Sequence, residues 1–349
     1  MSVRTRTESR LAALTTFRVG GPATRTVEVA TEDELVATVL SYGTTEPLLI
    51  VGGGSNLLVA DEGFAGTVIV VRTGGVQAQV DGCAGVWLSV AAGESWDALV
   101  ARTVAEEWIG LESLSGIPGL VGAAPMQNIG AYGQQVADTI ARVRTLDRVT
   151  GARATFAGGD CGFGYRTSRF KREPGRHLVL GVDFQLTEAS RSGPIRYLEL
   201  ARSLGVAVGD RAPLAAVRDA VLDLRAAKAM LLDAADHDTW SAGSFFLNPL
   251  ITTEQAAPLP AAAPRFQQPD GTVKTSAAWL IEQSGFGRGY PGADAAVRLS
   301  TKHTLAITNR GSATTAEILA LARELRAGVR DRFGIQLEPE PTLVGCSLD

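Results

Sequence analysis

Polar and apolar positions alternate over residues 24–30, and that period of two predicts a strand. Thr31 and Glu34 form a capping-box pattern that starts a short helix ending near Gly43. The apolar run 48–51 predicts a compact strand leading into Gly52-Gly53-Gly54-Ser55-Asn56. Residues 67–72 and 86–92 read as further strands, and Ser95 caps a helix over about 96–108. Strands are expected at 141–146 and 178–186, then helices at 195–204 and 213–230, with Pro213 suited to the first turn of the latter. Residues 255–265, rich in Ala and Pro, read as a loop; a helix follows at 275–281 and a strand at 304–308. Thr314 and Glu317 give another capping box. Ile318, Ala322, Leu325 and Val329 then recur at helical spacing up to Gly334, an apolar stripe that belongs to a core. Short strands, few helices and many glycine turns fit an α+β fold better than a regular parallel Rossmann sheet.

Residues 114–133 break every one of these patterns. The stretch carries no charge, and Gly116, Gly119, Gly122, Gly130 and Gly133 alternate with Pro118 and Pro125. Gly and Pro oppose a helix and weaken a strand. Two readings remain: backbone lying close to a ligand, with its N–H groups turned toward it, or a tightly packed internal crossover. The loop 52–56 poses the same choice. A strand running into a glycine turn can gather amides around a phosphate, yet neither G-x-G-x-x-G nor a P-loop ending is present, so a plain tight turn competes.

Composition narrows the class. The chain has 349 residues, 45% apolar and 20% charged, with a net charge of −4. That length allows two or three domains. No basic stripe suggests nucleic acid, and no apolar run is long enough for membrane insertion. Met1, Ser2, Val3 and Arg4 do not begin a signal peptide. Cys83, Cys161 and Cys346 are odd in number and scattered, which suits a reducing cytoplasm. His177, His237 and His303 show no metal-ligand spacing, so no metal is expected.

Taken whole, residues 115–133 (Ser-Gly-Ile-Pro-Gly-x-Val-Gly-x-x-Pro-x-Gln-Asn-Ile-Gly-Ala-Tyr-Gly) resemble the central flavin-binding segment of the UDP-N-acetylenolpyruvoylglucosamine reductase family. Other motifs of that family recur in order: Gly-x-Gly-Ser-Asn at 52–56, Tyr-Arg-x-Ser-x-Phe at 165–170, Gly-Ser-Phe-Phe-x-Asn-Pro at 243–249 and Leu-Glu-Pro-Glu at 337–340. The resemblance runs from about residue 16 to 345. It implies non-covalent FAD held by Gly52, Gly53, Gly54, Ser55, Asn56, Ser115, Gly116, Ile117, Gly119, Gly122, Gln127, Asn128, Gly130 and Ala131. It implies Ser244 as proton donor, with Arg166 and Glu340 as catalytic partners. It also implies substrate contacts at Tyr132, Tyr197, Lys228 and Asn248. An Arg fork can hold a carboxylate in two parallel bonds, and a Glu can donate a hydrogen bond if burial raises its pKa. Leu247 stands where many members are basic, and Pro341-Thr342 replaces the more usual Val-Arg.

The implied fold is a two-part FAD-binding fold of the non-Rossmann, vanillyl-alcohol-oxidase-like kind with an inserted α+β substrate-binding domain. The expected segments are 1–73 and 74–226 for FAD, 227–333 for substrate, and 334–349 as a C-terminal return. The implied activity uses NADPH to reduce FAD and then UDP-N-acetylglucosamine enolpyruvate to UDP-N-acetylmuramate, for peptidoglycan, with no obligate protein partner. A rival class is a sugar- or hydroxy-acid-oxidising flavoprotein with FAD tethered to a His near the first glycine loop, but no His precedes His177. A third is a flavin- or nucleotide-binding module without redox work, which needs neither Arg166 nor the 243–249 turn.

Overall fold

The computed structural model describes residues 4–349, so the expectation placed on Met1, Ser2 and Val3 lies outside the described residues. The chain folds as two compact units. Residues 4–9, 23–53 and 65–227 form the first, and 10–22, 54–64 and 228–349 form the second.

The first unit is built on two sheets. One runs in the order Arg4–Thr7, Ala23–Val29, Phe64–Val71, Leu48–Val51, the last two strands parallel. The other runs Arg153–Ala157, Ile140–Asp147, His177–Glu188, Gly85–Ala91, Val76–Asp81, antiparallel throughout. Val86, Leu88 and Val90 alternate into the core, each 0% exposed, as a strand with one buried face requires. Thr31 and Glu34 cap the Glu32–Ser41 helix reciprocally, and Ser95 caps Trp96–Ala105 by accepting from the Ala98 N–H at 3.4 Å.

Several boundaries differ from the sequence reading. The second helix stops at Ala105 rather than 108, because buried Trp108 pairs with Glu188 as a strand. Residues 195–197 stay outside the Leu198–Leu204 helix, since the Ile195 N–H donates to Asp210 O and its carbonyl accepts from the Gly209 N–H, both at 2.8 Å. The next helix is Leu214–Ala227, ending before Ala229, whose φ is +53°. The strands Val76–Asp81 and Arg153–Ala157 escape the pattern because most of their residues face solvent.

The second unit has short strands and one long helix. Thr314 and Glu317 cap Thr315–Phe333, Gly334 closes it in the left-handed conformation, and Ile318, Ala322, Leu325 and Val329 are all 0% exposed. Ser276 caps Ala277–Gln283, two residues later than expected. The strand expected at 304–308 is Ile307–Asn309, paired with Val297–Leu299. The loop 255–265 begins inside the one-turn helix Thr253–Ala256.

Candidate active site

In the first unit the glycine-rich segment is sewn to the start of the Trp96–Ala105 helix. The Trp96 N–H donates to Gly119 O at 3.1 Å, Val121 N–H to Glu94 O at 2.9 Å, and Gly122 N–H to Ala92 O at 2.8 Å. The indole Nε1–H of Trp96, 0% exposed, donates to Leu114 O at 3.0 Å. Asp97 accepts from the Gly116 N–H at 2.6 Å and from both Arg218 nitrogens at 2.7 and 2.9 Å. Burial pushes the Asp97 carboxyl up, but the bonds from Arg218 and Gly116 and the charges of Arg218 and Arg225 hold it below its ordinary value. A Cβ on Gly53 would lie 2.7 Å from Gly119 Cα, so the first glycine loop and this segment run in backbone contact. The packed-crossover reading therefore explains those two glycines by itself. It does not explain the donors. Among the described residues none accepts from the N–H groups of Gly53, Ile117 or Gly119. Backbone amides open in this way suit phosphate oxygens. Ser115 is 0% exposed and donates to Glu112 O at 2.7 Å, so its hydroxyl is a structural one.

Arg166 belongs to the same unit. It has φ +51°, and its guanidinium donates to Gly130 O at 2.7 Å and to Asn128 O at 3.4 Å. Ser168, 0% exposed, donates to Met126 O at 2.6 Å and caps the following helical turn. The turn carrying Arg166 is thus tied to residues 126–130. The Tyr132 and Tyr197 rings meet edge-to-face with centroids 5.6 Å apart. Burial pushes the Tyr132 phenol up to about 12, against a lowering influence from Arg225. Tyr197 is exposed. Gln127 and Ala131 flank these groups as half-buried residues.

In the second unit a short ladder joins residues 245–247 to 338–340, with Ser244 just before its first strand and Glu340 at the end of its second. Phe246 pairs with Pro339, the Leu247 N–H donates to Glu338 O at 3.0 Å, and the Glu340 N–H donates to Phe245 O at 2.8 Å. The Phe245 N–H reaches Leu305 O at 2.7 Å, and Phe245 and Phe246 are buried. That anchors the turn on which half-buried Ser244 stands. Glu340 is held from the other side too: Asn56 Nδ2 donates to Glu340 O at 3.4 Å, and the Thr342 N–H donates to Asn56 O at 2.9 Å. Thr342–Val344 then pairs parallel with Leu57–Val59. Both bonded donors, Glu340 and Thr342, flank Pro341; alternation turns the 341 nitrogen away, so a proline there removes neither bond. Asn248 Oδ1 accepts from the Ala277 N–H at 3.0 Å and so holds the start of a helix. Lys228 follows the Leu214–Ala227 helix and is half-buried.

Gly54 and Ser55 are supported from within that second unit. Gly54 has φ +61°, and a Cβ there would meet Leu14 O at 1.7 Å. The Thr16 N–H donates to Gly54 O at 3.3 Å, and its hydroxyl reaches Ser241 O at 2.6 Å and Ser55 O at 3.5 Å. Thr16, Asp97, Ser168 and Arg218 were missed by the sequence reading. Only Ser168 left a signal, as the Ser of the Tyr-Arg-x-Ser-x-Phe motif. The described residues include no group of three His, Cys, Asp or Glu placed for a metal, and no helix among them is long and apolar enough to cross a membrane.

Comparison with known proteins covers residues of both units. Residues 23–157 match the FAD binding domain family, and residues 234–344 match the family of the UDP-N-acetylenolpyruvoylglucosamine reductase C-terminal domain. The chain is 54% identical to the UDP-N-acetylenolpyruvoylglucosamine reductase of Cutibacterium acnes, over 97% of this chain and 90% of that protein. It is equally, 54%, identical to the enzyme of that name from Salinispora arenicola, over 98% and 96%. Among solved structures it is similar to the Thermus caldophilus UDP-N-acetylenolpyruvylglucosamine reductase, with a TM-score of 0.66 at 27% identity over 99% of both chains. With relatives this similar over almost its whole length, the chain belongs to the UDP-N-acetylenolpyruvoylglucosamine reductase family.

Proposed function

We propose that Arg166, Ser244 and Glu340 carry the reduction of the enolpyruvyl group of UDP-N-acetylglucosamine enolpyruvate in this enzyme. The chain is an FAD-containing oxidoreductase of peptidoglycan synthesis that takes its hydride from NADPH. FAD held in this protein would supply the hydride chemistry between NADPH and the enolpyruvyl β-carbon. The amides of Gly53, Ile117 and Gly119 suit the cofactor's diphosphate, and the loops 52–56 and 115–131 would hold it.

The protein's own part begins as negative charge builds on the substrate α-carbon and carboxylate. The Arg166 fork, oriented by its bond to Gly130 O at 2.7 Å, binds that carboxylate. Glu340 assists the same enolate-like state. Ser244 then delivers the proton to the α-carbon. A carbanion of this kind has a weak conjugate acid, so a hydroxyl suffices as donor when it is held in reach. The observation that carries the reading is the ladder that fixes the Ser244 turn against the Glu338–Glu340 return, two stretches distant in sequence.

We assign residues 1–73 and 74–226 to the cofactor, 227–333 to the substrate, and 334–349 to the return that delivers Glu340. Tyr132, Tyr197, Lys228 and Asn248 are assigned to the substrate. The cytoplasm, where thiols stay reduced, suits the three free cysteines.

The test is Ser244→Ala in anaerobic stopped flow. NADPH should bleach the flavin at an undiminished rate, while recovery on adding substrate slows by roughly 10²–10⁴-fold, the usual worth of a positioned proton donor. Recovery at the parent rate removes Ser244 from this role.

A further inference from the structure

Asn128 is 3% exposed and sits at φ +46°, a left-handed backbone that Asn tolerates better than most residues. Its side chain is committed inside the protein. Nδ2 donates to Gln135 Oε1 at 3.0 Å and to Gly164 O at 3.1 Å, and Oδ1 accepts from the Ala137 N–H at 3.0 Å. Its own carbonyl accepts from Arg166 at 3.4 Å. Gly164 closes the tight turn that carries Arg166, through mutual Gly164–Thr167 backbone bonds of 3.1 and 3.4 Å. One buried amide therefore ties three pieces together: the glycine-rich segment, the 134–137 stretch that follows it, and the Arg166 turn.

We propose that Asn128 is a positioning residue for Arg166 rather than a contact of the cofactor. The consequence follows from the bond directions. The amide fixes the Gly164 carbonyl, the Gly164–Thr167 turn fixes the Arg166 backbone, and the Gly130 and Asn128 carbonyls fix the guanidinium. Asn128 bonds one of these anchors, the Gly164 carbonyl, and supplies another, its own carbonyl. Replacing its NH2 by a carboxylate oxygen sets that oxygen against Gly164 O and Gln135 Oε1, so the turn must move away. A shift of order 1 Å in a group that orients the reacting carboxylate costs about a hundredfold in rate. The proposal rests on the reading that Arg166 binds the substrate carboxylate.

The experiment is a double-mutant cycle of Asn128→Asp and Arg166→Lys. Flavin content is read first. Substrate affinity of the oxidised enzyme is then read from the flavin spectral shift, and the two half-reactions by anaerobic stopped flow. Both single variants should keep their flavin, weaken substrate binding about tenfold, and slow recovery by substrate by about ten- to a hundredfold. Bleaching by NADPH should change less than threefold in each. The double variant should be within about threefold of Arg166→Lys alone, because both substitutions act through one group. Multiplying effects overturn the proposal, as does an Asn128→Asp enzyme that behaves like the parent beside a defective Arg166→Lys. An Arg166→Lys enzyme that behaves like the parent instead overturns the carboxylate-binding reading itself. Asn128→Gly, which keeps the left-handed backbone without strain, covers poor folding of the Asp variant. Loss of flavin from both variants makes Asn128 a holder of the cofactor loops and overturns the positioning role.

Discussion

The two units fasten their functional groups in different ways. In the first, backbone bonds sew the glycine-rich segment in place, and side chains reaching backbone atoms fasten it and Arg166 further: Trp96 to Leu114 O, Asp97 to the Gly116 N–H, Asn128 to Gly164 O, Arg166 to Gly130 O and Ser168 to Met126 O. In the second, Ser244 and Glu340 are held mainly by backbone on backbone, through the 245–247 and 338–340 ladder and the parallel pair Thr342–Val344 with Leu57–Val59. Backbone bonds survive changes of side chain; side-chain anchors do not. Leu247 and Pro341-Thr342 are where the sequence reading expects a departure from the family pattern. Leu247 and Pro341-Thr342 both lie on the backbone ladder, and neither departure removes one of its bonds.

The comparison breaks most visibly where the second unit lacks room for any side chain. Gly54→Ala places a Cβ 1.7 Å from the Leu14 carbonyl oxygen at a φ of +61°. We expect a loss of more than about 4 kcal/mol and little soluble, flavin-loaded protein. Gly43→Ala is the control. It has nearly the same φ, +63°, but nothing within 4 Å of a new Cβ, so its cost should stay near 1 kcal/mol in a thermal melt.

A middle-sized effect sharpens the contrast between the two modes of fastening. Trp96→Phe keeps a ring in the core but leaves Leu114 O buried without its donor, at a cost of about 2–3 kcal/mol. Flavin affinity should fall with it, since Leu114 begins the glycine-rich segment. Leu247→Lys puts a basic residue on the ladder without touching its backbone bonds and should move stability by less than about 0.5 kcal/mol. Comparable losses from both substitutions, measured by denaturant titration, would erase the distinction.

Legibility in the sequence followed the same divide. Elements set by local rules were readable: the capping boxes at Thr31 and Thr314, the Ser95 cap and the apolar stripe ending at Gly334 all appear where expected. Residue 195 could not be read, because its helical pattern is overruled by bonds to residues 209 and 210. The edge strand Val76–Asp81 was invisible because an exposed edge needs no apolar alternation. The site motifs were legible only as motifs. Nothing local in Thr16 or Asp97 says that one supports the 54–55 turn and the other pins Gly116, because both roles arise from tertiary contact. The glycines misled in one respect. Gly53 and Gly54 are required first by Gly119 and Leu14, and only the N–H groups around them speak for a ligand.

The smallest effect tests the one carboxylate among these anchors of the first unit. Asp97 joins Gly116 to Arg218, and its folded pKa is depressed because those bonds outweigh its burial. A carboxylate with a lowered folded pKa adds stability that is fully present above its unfolded pKa, about 3.9, and is lost as pH falls through the folded value. Its side chain is 37% exposed, so solvent screening trims the effect to about 1 kcal/mol or less. Asp97→Asn should therefore melt lower than the parent at pH 7, and the gap should close as pH drops below about 4, where the parent carboxylate takes up its proton. Melts of both proteins from pH 7 down to pH 3 decide it. A gap that stays constant over that range would mean that Asp97 holds the glycine-rich segment by shape and hydrogen bonding alone, and that its charge adds nothing to the side-chain fastening of the first unit.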